Sequence, residues 1–76
     1  MLQQAVQSFQ NNNLERADSI LVKILRSDPR NFVALHILGL IKSSQGKYQE
    51  GVDLLTKAAG LNPNDASVQY NLAKAL

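Results

Sequence analysis

The sequence predicts an all-α solenoid, with antiparallel helix pairs stacked in series. Three observations predict it. Apolar residues recur at spacings of three and four along most of the chain, the signature of one buried helix face. Asp28-Pro29 and Asn62-Pro63 place matching punctuation 34 residues apart. Proline pushes the residue before it out of the helical region, so each pair reads as a turn. No stretch alternates strictly enough to read as a strand.

Each element follows in order. A first helix is predicted over residues 2–11, with Leu2, Val6 and Phe9 on one side. Asn12-Asn13 closes it with turn formers. Leu14, Ala17, Ile20, Leu21, Ile24 and Leu25 set a second helix over 14–27. After the Asp28-Pro29 turn, Asn31 suits an N-cap for a third helix over 32–44, carried by Leu35, Leu38 and Ile41. Gly46-Lys47 is the next turn. Val52, Leu55, Ala58 and Ala59 carry a fourth helix over 48–60, and Asp65 caps a fifth over 66–75. Links this short make consecutive helices antiparallel neighbours.

Composition narrows the function classes. The chain has 76 residues, enough for one domain. It has no cysteine, so neither disulfides nor thiolate zinc sites hold it together. Its net charge is +2, without a run of three basic residues or a basic stripe interleaved with aromatics, so no nucleic-acid partner is expected. The longest apolar run is Ile37 to Ile41, against about 20 residues for a membrane span. Met1 is not followed by a basic segment and an apolar stretch, so no secretory signal is expected and a cytoplasmic location is.

Catalytic chemistry finds no constellation. His36 is the only histidine, with no cysteine and no carboxylate within a helical turn. It reads as a helix residue lining a surface, and no metal or cofactor is expected. Glu50 and Asp53 read as a solvated helix face. Ser8, Ser43 and Ser44 lack a base partner. Gly46-Lys47 lacks the remaining residues of a phosphate loop. The chain is expected not to be an enzyme.

A 34-residue shift superposes Ala5, Gly39 and Ala73, all small, and pairs Ala17 with Gly51. It pairs Leu21 with Leu55, Leu14 with Tyr48 and Leu38 with Leu72. Asn12 meets Gly46, the residue types that best tolerate a left-handed backbone. Small residues thus recur where helices must approach closely, and turn formers recur where the chain reverses.

A helix–turn–helix period of 34 residues ending in proline resembles the tetratricopeptide repeat. The best match runs from Phe32 to Asp65, with Leu35, Leu38-Gly39, Gly46, Tyr48, Leu55, Ala58 and Pro63. Leu35 stands for the motif's leading tryptophan, Lys42 for its tyrosine and Gly51 for its second-helix alanine. Lys42 alone breaks the size class. The resemblance implies a right-handed superhelix in a single domain, 1–76. Residues 1–31 would be a degenerate first repeat, 32–65 a full one, and 66–76 the first helix of a third. Ala5, Ala17, Gly39, Gly51, Ala58 and Ala73 would sit at helix contacts.

In this family the first helix of each repeat lines a concave groove that binds peptides. Carried over by motif, the groove would comprise Gln3, Val6 and Gln10 from the first repeat. Val33, His36, Ile37, Leu40, Ser43 and Ser44 would come from the second, and Ser67, Tyr70, Asn71 and Lys74 from the third. Periodicity supports part of this, since Val33, Ile37, Leu40 and Ser44 form a second stripe rotated from Leu35, Leu38 and Ile41. Such a helix is either buried all round or shows a patch to a partner.

The family's carboxylate clamp would fall on Leu2, Val6, Ile37 and Asn71, of which only Asn71 is suitable. The asparagines with which tetratricopeptide glycosyltransferases hold a peptide backbone would fall on Gln3, Ile37 and Asn71. The expected function is a protein–protein interaction or scaffolding module holding an extended peptide or a helix. The alternatives are the non-catalytic repeats of a larger enzyme such as a glycosyltransferase, and a self-associating structural module. The register begins late and stops in mid-repeat, so the chain is expected to be a piece of a longer solenoid. Apolar ends at Leu2, Val6 and Phe9, and at Leu72 to Leu76, lead to an expected homo-oligomer.

Overall fold

The computed structural model describes residues 2–75 and consists of five helices: α1 (Leu2–Gln10), α2 (Leu14–Ser27), α3 (Phe32–Ser44), α4 (Tyr48–Leu61) and α5 (Ala66–Ala75). There is no strand among the described residues. Met1 and Leu76, and with them the end of the apolar C-terminal run, lie outside the described residues. The first helix stops at Gln10 instead of residue 11, and the fourth continues to Leu61 instead of residue 60.

The reason lies in the turns, which come in two kinds, each used twice at the 34-residue spacing. After α1, Asn12 takes φ 61°, its N–H bonds Phe9 O at 3.0 Å, and the Asn13 N–H bonds Ser8 O at 2.7 Å. After α3, Gly46 takes φ 80°, its N–H bonds Ser43 O at 3.1 Å, and the Lys47 N–H bonds Lys42 O at 2.9 Å. Both are Schellman ends, in which a left-handed residue lets the chain satisfy the last carbonyls and reverse. Asn11 therefore belongs to the turn.

The second kind follows α2 and α4. Asp28 and Asn62 leave the helical region at φ −138° and φ −140°, as residues before proline must. The Asn31 N–H closes on Asp28 O and the Asp65 N–H on Asn62 O, both at 3.1 Å. The same two residues then cap the next helices. Asn31 Oδ1 accepts the Ala34 N–H at 3.0 Å, and Asp65 Oδ1 accepts the Val68 N–H at 3.1 Å. Each cap contributes about 1 kcal/mol.

Packing follows the turns. α1 pairs with α2 and α3 with α4, while α2 packs on α3 and α4 on α5. Ala5, Ala17, Leu21, Ala34, Leu38 and Ile41 form one core across α1, α2 and α3. Leu35, Ala58 and Val68 form a second across α3, α4 and α5. Within the α3–α4 pair the backbones approach at two glycines. A Cβ on Gly39 would stand 2.8 Å from Leu55 Cγ, and one on Gly51 would stand 3.0 Å from Gly39 O and 3.1 Å from Ser43 N. Lys42, the residue that breaks the motif's size class, bridges the first pair to the second. Its Nζ meets Asp18 Oδ2 at 2.8 Å, with both side chains largely covered. None of the helices is long and apolar enough to cross a membrane among the described residues.

Candidate functional site

The odd-numbered helices lie on the tighter side of the stack. The α1 backbone comes close to α3 and that of α3 to α5, whereas the α2 and α4 backbones stay farther apart among the described residues. Outward-facing side chains of α1, α3 and α5 therefore line the inner surface. Along it lies a hollow of about 280 Å³ lined by Leu40, Ser43, Ser44, Tyr48, Asn71 and Lys74. It lies where the C-terminal end of α3 meets the start of α4 and the flank of α5.

Five groove residues anticipated from the motif come together here: Leu40, Ser43, Ser44, Asn71 and Lys74. His36 joins them through Asn71, whose Nδ2 lies 3.0 Å from His36 Nε2. Leu40 is half-buried and belongs to neither core, so it supplies an apolar floor. Ser44 is exposed, and its hydroxyl donates back to Ile41 O at 2.8 Å. The Lys74 ammonium lies 5.8 Å from the centre of the Tyr70 ring, at cation–π distance. Tyr70 is 65% exposed and Val33 38%, and neither lines the hollow. Gln3 and Gln10 are exposed and Val6 is half-buried on α1.

Two placements, Ile37 and Ala73, differ from the expectation, and Ser43 lines the hollow with its hydroxyl turned away. Ile37 packs against the first core, so it supports α3 more than it faces a ligand. The Ser43 hydroxyl is directed at Gly51, buried and without a hydrogen-bond partner among the described residues. Glycine at 51 leaves the space it occupies. Ala73 is exposed, although the residues it superposes on by the repeat, Ala5 and Gly39, are buried, as are Ala17, Gly51 and Ala58. No helix among the described residues covers that side of α5.

Tyr48 is a lining residue that the motif did not assign to the groove. It is 61% exposed. The available signal was its place: an aromatic directly after the Gly46-Lys47 reversal has no earlier helix residue beside it to cover its ring.

Stacked antiparallel helix pairs around an open concave face define a helical-repeat protein of the α-solenoid class. Residues 33–65 match the family model of the tetratricopeptide repeat, so the chain contains a tetratricopeptide repeat. It is 34% identical over 65 residues to the transcription factor tau 131 kDa subunit of Saccharomyces cerevisiae. That match covers 86% of this chain and 6% of the yeast protein. It also superposes on a mutant O-GlcNAc transferase of Thermobaculum terrenum with a TM-score of 0.95 and 32% identity. There it covers 99% of this chain and 14% of the transferase. The chain thus spans a small part of both.

Proposed function

We propose that this chain is a protein-binding module that holds an extended peptide against α3 and α5. The observation that carries this reading is the hollow itself. It sets an apolar floor, Leu40, and an exposed aromatic, Tyr48, beside a carboxamide, Asn71, and an ammonium, Lys74. An extended peptide presents backbone amides and alternating side chains to such a surface. A carboxamide can both donate to a backbone carbonyl and accept from a backbone N–H. A helical partner satisfies its own backbone and would need a longer apolar seam. We assign no catalytic step to these residues.

Selection from a displayed random-peptide library, followed by Kd measurement, tests the reading. Leu40→Glu and Asn71→Ala are expected to lose binding while keeping the helical circular dichroism of the parent. Ile37→Glu is a poorer control, because Ile37 supports the core. Selected peptides that bind both variants at parental affinity would show that the hollow is not the site.

A second reading is favoured by the transferase superposition. The segment would be one stretch of the non-catalytic repeats of a larger O-GlcNAc-transferase-like enzyme, with Asn71 in Tyr70-Asn71-Leu72-Ala73 as a substrate contact. Sequencing the full native reading frame tests it, since the absence of a glycosyltransferase domain elsewhere in the protein would remove it.

A further inference from the structure

Two side chains 35 positions apart in sequence meet at the edge of the hollow. The Asn71 amide nitrogen has only donor hydrogens, so at 3.0 Å from His36 Nε2 it donates and the ring nitrogen accepts. This arrangement calls for the Nδ1-protonated tautomer of the ring. The Phe32 ring, one turn earlier on α3, stands 5.9 Å from the imidazole centroid at a tilt of 46° and flanks it on that side. With one N–H held by His36, Asn71 keeps its Oδ1 and a second N–H uncommitted among the described residues. These are the groups it offers to the hollow that it lines with Leu40, Ser44 and Lys74.

We infer that His36 is a positioning residue that holds the Asn71 carboxamide in one orientation, so that this part of the groove presents an acceptor to a backbone N–H of an extended peptide. A free carboxamide exchanges donor and acceptor by a half-turn, and a ligand must then pay to order it. His36 removes that freedom before the ligand arrives. The device is local. One repeat earlier, the positions of His36 and Asn71 are Leu2 and Ile37, so the same boundary between α1 and α3 is apolar. The paired imidazole and carboxamide therefore have no counterpart one repeat earlier. The inference rests on the groove reading for its ligand, but not for its geometry.

The test has two arms. Long-range 15N NMR of the free chain, at a pH where the imidazole is neutral, reads the tautomer. The expected result is an unprotonated Nε2 and a protonated Nδ1, a bias lost in Asn71→Ala. A predominantly Nε2-protonated ring in the parent would overturn the inference. In the second arm, a display-selected peptide is measured against His36→Leu and His36→Gln. Loss of the held amide should weaken binding roughly three- to tenfold in His36→Leu. Glutamine, whose Oε1 can accept the same N–H, should restore it. Parental affinity in His36→Leu overturns the inference even if the groove binds. If no groove-binding peptide is found, the groove reading fails, and the tautomer alone still supports or overturns the positioning.

Discussion

α3 and α5 occupy the same place in successive repeats, yet they are held very differently. α3 buries Ala34, Leu35, Leu38, Gly39 and Ile41. The 34-residue counterparts on α5 begin with Val68, which is fully buried, and continue with Leu72, half-buried, and Ala73, exposed. Both start from an Asx cap at the same position of the repeat. α5 carries Gln69 and Asn71 where α3 has Leu35 and Ile37, and the two helices also differ in the number of their neighbours. α3 packs on α2 and α4, with α1 and α5 beside it, whereas α5 packs on α4 with α3 beside it. In a stacked array each helix takes much of its stability from the next one. The groove spans this contrast, with Leu40 on the firmly held helix and Asn71 on the lightly held one.

Substitutions can break or sharpen that contrast. The largest effect should come from Leu55→Ala, since Leu55 is fully buried and fills the space above Gly39. It should cost about 2–5 kcal/mol, read by urea denaturation, and should lower the stability of all five helices together. A loss confined to α4 would show that the α3–α4 pair is not the centre of the fold. Gly39→Leu should cost about 1–3 kcal/mol by forcing α3 and α4 apart, and an unchanged melting temperature would show that the backbones do not meet there.

Val68→Ala acts on the other side of the comparison. It removes two buried methyl groups, worth about 1.5 kcal/mol. Because α5 has few other anchors, amide exchange should quicken across α5 and remain parental in α1 to α3. Uniform quickening would mean that α5 unfolds only with the rest. The smallest expected effect is a gain. A Cβ at Gly60 would meet nothing within 4 Å, so Gly60→Ala should stabilise α4 by about 0.5–1 kcal/mol. A loss of stability in a thermal melt would reveal a constraint on Gly60 that its open surroundings do not show.

Most of the fold was legible because its determinants are local. Prolines at 29 and 63, caps at Asn31 and Asp65, and left-handed residues at Asn12 and Gly46 act within a few positions of themselves. They bound the helices to within a residue. Asn13, read as part of a link, also caps α2 through a long 3.4 Å contact to the Arg16 N–H. The site was legible only in part. Leu40, Ser43, Ser44, Asn71 and Lys74 follow from the motif, but their meeting depends on how two helices pack. The His36–Asn71 and Lys42–Asp18 contacts join residues 35 and 24 positions apart, and periodicity carries no information about such pairs. Ser43 lines the hollow as the motif implies, but its hydroxyl turns away for a similar reason. Its position on α3 suits the groove, yet the missing side chain at Gly51 opens space for its hydroxyl on the opposite helix.

The central claim is that an extended peptide lies against α3 and α5 at the hollow. Chemical-shift mapping of the 15N-labelled chain with a display-selected peptide tests it most directly. The account predicts the largest changes at the amides of Leu40, Ser44 and Lys74 and at the Asn71 side-chain NH2. A second concavity lies at the α2–α3 turn and the end of α4, lined by Pro29, Arg30, Leu35, Lys57, Gly60 and Leu61. Changes concentrated at Arg30, Lys57 and Gly60, with the α5 signals unmoved, would contradict the account.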